Sequence, residues 1–280
     1  MSAEHNVFLQ EGEEVPPDSH SDVIAGTAYS RSFVLQCLID MSKGDVDVES
    51  EGVVLTDRME IFKEMLKTSA EVRLYVLSID DILITMEDMV EYEGISASVG
   101  EVLKAIADCE QCNELVLSNS DRVFAICVRL FESLRLREVC SAIQCLESVL
   151  GKPNLAFGLD WIRWFADEAT QGRLNFAIHN APLELGLAEA ILQILQILLE
   201  VAVEMREAYS EFFLNLKPLE LPSEDAVIHF LNCVLLLDLD PNFSADLMDY
   251  LADVQKKRRS SSEALIASVD RLVARINFSR

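Results

Sequence analysis

The chain has 280 residues, half of them hydrophobic and a quarter charged. That is the composition of a folded protein with a sizeable core, and it excludes global disorder, a collagen-like chain and a small disulfide scaffold. Its 48 acidic residues against 23 basic ones give a formal net charge of −25, which repels a phosphate backbone, so no nucleic-acid partner is expected.

Residues 1–21 combine acidic side chains with Pro16-Pro17 and few large apolar groups, the composition of a disordered acidic tail. No basic residue precedes their short apolar patch, and no arginine occurs in them, so neither a secretory signal nor a transit peptide is expected. From Asp22 to the end of the chain, a helical domain over 22–280, apolar residues recur at helical period and no strand pattern stands out. The expected helices are 22–43, 54–68, 70–93, 98–110, 119–134, 136–150, 155–170, 174–180, 183–216, 224–238, 244–258 and 261–277. Ser98 with Glu101, and Ser260 with Glu263, have capping-box spacing. Ser223 precedes an acidic first turn, which suits the helix dipole. Gly44, Gly94, Gly151 and Gly172 stand where helices are expected to stop. The segment 44–52 reads as a solvated acidic loop.

Pro153, Pro182, Pro218, Pro222 and Pro241 fall in expected breaks, whereas none lies between Pro17 and Pro153. Two subdomains meeting near residue 152 account for that asymmetry, and so does one continuous stack. In the segment 183–216 the polar positions fall at 189, 193, 196, 200, 204, 207 and 211, one narrow stripe on an otherwise apolar helix. A helix wetted on one stripe is packed on most sides, so this segment is expected to be a long central helix. Its polar interruptions exclude a membrane span. Seven cysteines, an odd number in helical, apolar surroundings, suggest reduced buried thiols and a cytoplasmic or nuclear protein.

Paired helices with short links resemble HEAT- and armadillo-type repeats, although no repeat of fixed length is visible. The expected fold is accordingly all-α, an irregular HEAT/armadillo-like helical stack. The hairpin 119–150 also loosely resembles a helix pair from the middle domain of the large translation-initiation scaffold, through Ala125-Ile126, Leu130-Phe131 and Leu136. Tyr29, Val34 and Leu35 resemble the short helix by which translation scaffolds and repressors hold the cap-binding protein: a Tyr, four residues, then two apolar residues, with Val34 in place of the usual Leu. The resemblance implies a partner-binding segment. The same spacing also suits Tyr29, Val34, Leu35 and Leu38 packing the first helix onto the stack. The segment 225–240 loosely resembles a phrase in the gatekeeper proteins of bacterial type III secretion.

Chemistry-bearing motifs are sparse. Cys109 and Cys112 form a CxxC with no second pair at zinc-site spacing. Asp80, Asp81 and Asp88 resemble half of the Asp-rich magnesium motif of all-helical isoprenoid synthases, but Ile84 occupies its fifth position. That motif gives an alternative reading, a divergent magnesium- and diphosphate-dependent enzyme. The four histidines have no nucleophile arrangement around them, and no phosphate loop or HExxH occurs. Lys256 to Arg259 form the only basic cluster, placing two arginines before Ser261 as a basophilic kinase requires. The same cations also complement a helix C-terminus. The expected function is a non-enzymatic protein-protein interaction adaptor or scaffold, with protein partners, no membrane, no cofactor and no metal. Its partner-binding candidates are Tyr29, Val34 and Leu35, and its phosphorylation candidate is Ser261.

Overall fold

The computed structural model describes residues 22–42, 52–92, 95–153, 155, 158–180, 182, 185–237, 245–256 and 261–278. Among these residues the regular elements are helical, and the β pairing is one isolated bridge between Val23 and Ser30. The chain is all-α. It divides into two compact units, Met1–Cys145 and Leu146–Arg280, with the division inside a helix.

The first unit begins with a turn rather than with the helix expected from residue 22. Gly26 takes φ +83°, and the Asp22 carboxylate accepts the Ser32 amide at 2.8 Å and the hydroxyls of Ser30 and Ser32. Asp22 thereby satisfies the free amide end of α1, Arg31–Ser42, from outside it. Those hydrogen bonds, led by the one from Ser30, hold its pKa below the ordinary carboxylate value. Helix α2 is Gly52–Thr68, and α3, Ala70–Leu77, is capped by Ser69, whose hydroxyl accepts the Val72 amide.

The single helix expected over 70–93 is two helices. Asp81 sits at φ +55°, a left-handed position that a short polar side chain tolerates, and α4, Ile82–Met89, starts after it. Helix α5, Ser96–Ala107, starts earlier than expected. Ser98 is therefore inside the helix, no Ser98–Glu101 box forms, and Glu101 instead pairs with Lys63 at 2.8 Å. A short helix that periodicity did not indicate, α6, Asn113–Ser118, leads into α7, Ser120–Glu132, and α8, Leu136–Leu150. Helices α5 and α8 approach closely at Gly100: a Cβ there would stand 2.6 Å from Ser141 Cβ. Helix α4 packs on α7, where Glu87 and Glu91 bind Arg122 and Arg129 across the seam at 2.6–3.1 Å.

In the second unit, α9 is Leu159–Ala166 and α10 is Glu168–Asn180. Asp167 separates them in an extended conformation, and its carboxylate accepts the Thr170 amide at 3.0 Å. Gly172 lies within α10 and is not a helix end. The long central helix is not formed. Helix α11 is Leu187–Val201, the backbone turns extended at Ala202, and α12 is Met205–Asn215. Arg206 Nε donates to the Leu199 carbonyl at 3.0 Å, satisfying a carbonyl that the break leaves open.

Helix α13, Glu224–Leu236, lies between α11 and α15, Glu263–Phe278, while α14 is Ala245–Lys256. Ser223 caps α13 as expected, accepting the Ala226 amide at 3.1 Å. At α15 the cap is Ser262, which accepts the Leu265 amide at 3.2 Å, and Ser260 lies outside the described residues. The tail 1–21, Gly44, Gly94 and residues 44–51 of the acidic loop also lie outside them.

The polar stripe of α11 is bonded to neighbouring side chains. Gln196 Oε1 accepts from His229 Nδ1 at 3.0 Å and from Asn232 Nδ2 at 3.3 Å. Asn232 Oδ1 in turn accepts from Arg271 Nη2 at 3.1 Å. The apolar core beside this seam is aromatic: Trp161, Phe165, Tyr209, Phe213 and Phe230 are wholly buried. The Tyr209 hydroxyl donates to the Phe165 carbonyl at 2.8 Å, so its polar end is satisfied inside the core.

Candidate protein-docking site

The connection between α7 and α8 is three residues, Ser133, Leu134 and Arg135. So short a helix–helix link must reverse sharply, and one residue takes a left-handed conformation. Neither glycine nor asparagine is present there, and Leu134 takes φ +59°. A bulky side chain in that region costs roughly 1–2 kcal/mol relative to the right-handed one. Ser133 steadies the reversal, donating to the Leu130 carbonyl at 2.8 Å and accepting the Arg135 amide at 3.3 Å.

The strained residue gains little burial, since Leu134 is 67% exposed and Leu136 49%. Arg137 beside them is exposed, and among the described residues no carboxylate pairs with it. Tyr92, three residues past the end of α4, is 54% exposed. Its neighbour Glu91 binds Arg129 Nη1 near the end of α7 at 2.7 Å. Ser96, at the start of α5, donates to Glu138 Oε1 in the first turn of α8 at 2.8 Å. These two contacts tie Glu91, just after α4, to α7 and Ser96 to the first turn of α8. Glu138 is 4% exposed, and the same Oε1 also meets Arg135 Nε at 3.4 Å. Leu134 and Leu136 thus stand exposed at the α7–α8 reversal, with Arg135 turned to Glu138 and Arg137 exposed.

The sequence-based candidates fall elsewhere. Tyr29 lies ahead of α1 and is partly exposed, Val34 is fully buried, and Leu35 is 36% exposed. Val34 and Leu38 are core side chains of α1, so the three residues of the docking pattern do not share a presented face. Ser261 is partly exposed, one residue before the cap of α15, while 257–260 of its basic cluster lie outside the described residues. Asp80 and Asp81 occupy the turn between α3 and α4, and both they and Asp88 are exposed. Asp81 immediately precedes α4 and Asp88 lies within it, about two turns further on. The apolar character of 225–236 is that of a helix packed between two others.

The seven cysteines are free thiols, six of them buried. Burial pushes Cys127 and Cys233 well above the ordinary thiol pKa, so they are protonated and inert as nucleophiles. Cys109 donates to Gln111 Oε1 at 3.3 Å. Among the described residues, no group of three or more His, Cys, Asp or Glu is placed to hold a metal ion, and no helix is long and apolar enough to cross a membrane.

Neither a protein-family model nor a curated protein matches the chain in sequence. Leu134 and Tyr92 escape motif reading because no motif contains them. A signal for Leu134 is nonetheless present: two adjoining helical periods meet over SLR, a link with no residue suited to a left-handed turn.

Proposed function

We propose that the chain is a non-enzymatic adaptor of HEAT/armadillo-like type, acting in the cytoplasm or nucleus, and that it binds a protein partner through the tip formed by Leu134 and Leu136. The observation that carries this reading is Leu134. Its backbone is strained, and two thirds of its side chain is left in water. For an isolated fold both features are unfavourable, and an Asn or Gly would remove both. Strain at an exposed apolar residue is supported when a partner covers it. Exposed Arg137 favours a partner segment that brings apolar side chains together with a carboxylate.

The hairpin carrying the tip is the one that resembles the translation-initiation scaffold, so translation factors are the first partners to seek. Phosphorylation of Ser261 is the accompanying regulatory proposal, supported by its two preceding arginines and its place beside the α15 cap. The test is affinity purification from the native cell with mass spectrometry, comparing the wild type with a Leu134→Asn, Leu136→Asn double variant. Loss of a stoichiometric partner by a variant that remains folded is the expected result. The same partners at the same yield would sink the assignment of the tip.

A further inference from the structure

We infer that Cys109 and Cys112 form a reversible dithiol–disulfide site, oxidised by a small-molecule disulfide of the glutathione class. Spacing alone does not make such a site; the backbone must also bring the two thiols together. Cys109 is extended, at φ −86° and ψ 117°, and opens a 3-10 turn, Glu110–Cys112, that runs directly into α6. The Cys112 amide donates to the Cys109 carbonyl at 3.1 Å. Such a turn has three residues per turn and rises ~2.0 Å per residue, so residues three apart lie one above the other at ~6 Å. Disulfide-bonded residues have Cα atoms ~4.4–6.8 Å apart. Burial puts both side chains on one face: Cys109 and Cys112 are 2% and 0% exposed, whereas Glu110 and Gln111 between them are exposed. The turn packs on α3 and α5.

A second pair, Cys127 on α7 and Cys145 on α8, is hydrogen-bonded thiol to thiol and wholly buried. The two pairs differ in what must open to admit an oxidant. Cys109 and Cys112 lie on a three-residue turn followed by a six-residue helix, whereas Cys127 and Cys145 lie on helices of 13 and 15 residues. Short elements open locally at lower free energy than long packed ones, so the site is assigned to the first pair.

The chemistry is thiol–disulfide exchange. One cysteine thiolate attacks a sulfur of oxidised glutathione; that S–S bond breaks, a mixed disulfide forms and one glutathione thiolate leaves. The second cysteine thiolate attacks the protein sulfur of the mixed disulfide, forms the Cys109–Cys112 bond and releases the second glutathione thiolate. Two electrons pass from the chain to the oxidant, and the two thiol protons end on the two glutathione molecules. Closing the bridge removes the proton that Cys109 donates to Gln111 Oε1 at 3.3 Å and pins the turn between α5 and α6.

The experiment equilibrates the reduced full chain with glutathione buffers of rising oxidised fraction, with and without denaturing urea. Acid stops the exchange, remaining thiols are alkylated, and tryptic peptides are mapped by mass spectrometry. Cleavage after Lys104 and Arg122 yields one peptide, 105–122, whose cysteines are Cys109 and Cys112 alone. In the folded chain this peptide is expected to lose two hydrogens and to resist alkylation before the other five cysteines react. Its ratio of oxidised to reduced form is expected to exceed the ratio in urea about tenfold, equivalent to ~1.4 kcal/mol in favour of the bridge. A ratio no higher than in urea would overturn the inference, because the fold would then hold the thiols no closer than the unfolded chain does. Separate glutathione adducts on the two cysteines, or a Cys127–Cys145 bridge forming first, would overturn it as well.

Discussion

Replacing Leu134 by Asn is expected to make the protein slightly more stable while weakening its binding. Two terms set the magnitude. Relief of the left-handed backbone at φ +59° returns about 1–2 kcal/mol, because a short polar side chain is tolerated there. Against this stands the apolar burial that is lost. Full burial of a leucine is worth about 1.5–3 kcal/mol, and Leu134 is 67% exposed, so roughly a third of that amount, about 0.5–1 kcal/mol, is given up. The net expectation is a gain of about 0.5–1 kcal/mol, measurable as a higher urea midpoint at unchanged m-value. A variant that is more stable yet binds less well cannot owe its binding defect to misfolding. Destabilisation by more than about 1 kcal/mol would refute the reasoning, because it would mean that the side chain is part of the core and not spare surface.

Gly100→Ala is expected to cost about 2 kcal/mol or more, since its Cβ would meet Ser141 Cβ at 2.6 Å and force α5 from α8; chemical denaturation measures it, and a neutral result would show that the two helices part freely. Ser96→Ala is expected to cost about 2 kcal/mol, because it takes from the buried Glu138 carboxylate the donor that Ser96 supplies at 2.8 Å. For His229, burial lowers the pKa, opposed by Asp225 and Glu189. The folded state therefore favours neutral imidazole. Its contribution is complete above the unfolded value of 6.5 and is lost as pH falls below it toward the folded pKa. Urea midpoints of wild type and His229→Asn measured from pH 7.5 to 5.5 are expected to converge on acidification; a constant difference would argue against this.

The helical class was legible because apolar period survives tolerance at individual positions, and the Ser223 cap was legible because its effect is local. The long helix over 183–216 was misread for a physical reason. Its polar stripe continues in register across the break at Ala202, and the sequence around it, EVAVEM, contains neither glycine nor proline. Only tertiary context, including the reach of Arg206 back to Leu199, makes the interruption tolerable. The same stripe suggested a water-facing strip, whereas Gln196 meets His229 and Asn232 across a helix seam. Periodicity reports which residues are polar, not whether water or another side chain satisfies them. The candidate site was the least legible part. Tyr92 and Leu134 are 42 residues apart, and the contacts that tie their segments into one unit, Glu91–Arg129 and Ser96–Glu138, leave no sequence period.

Those pairings have a consequence for binding. An exposed apolar tip on a mobile loop would lose part of its contact energy to ordering when a partner arrives. Here the reversal is held by the Ser133 hydrogen bonds, by the buried Glu138 bound to Ser96 and Arg135, and by Glu91 on Arg129. These groups touch no partner; they hold Leu134 and Leu136 outward before one is bound. A rigid tip is a poor place for an adventitious leucine, because it cannot fold its own apolar side chains away from water. Rigidity and exposure together therefore favour a surface that another chain segment covers. On this argument Ser96→Ala should weaken partner binding as well as stability, although Ser96 itself is fully buried. A variant that loses stability but keeps full affinity would separate the buried polar contact from the docking surface and remove preorganisation from the account.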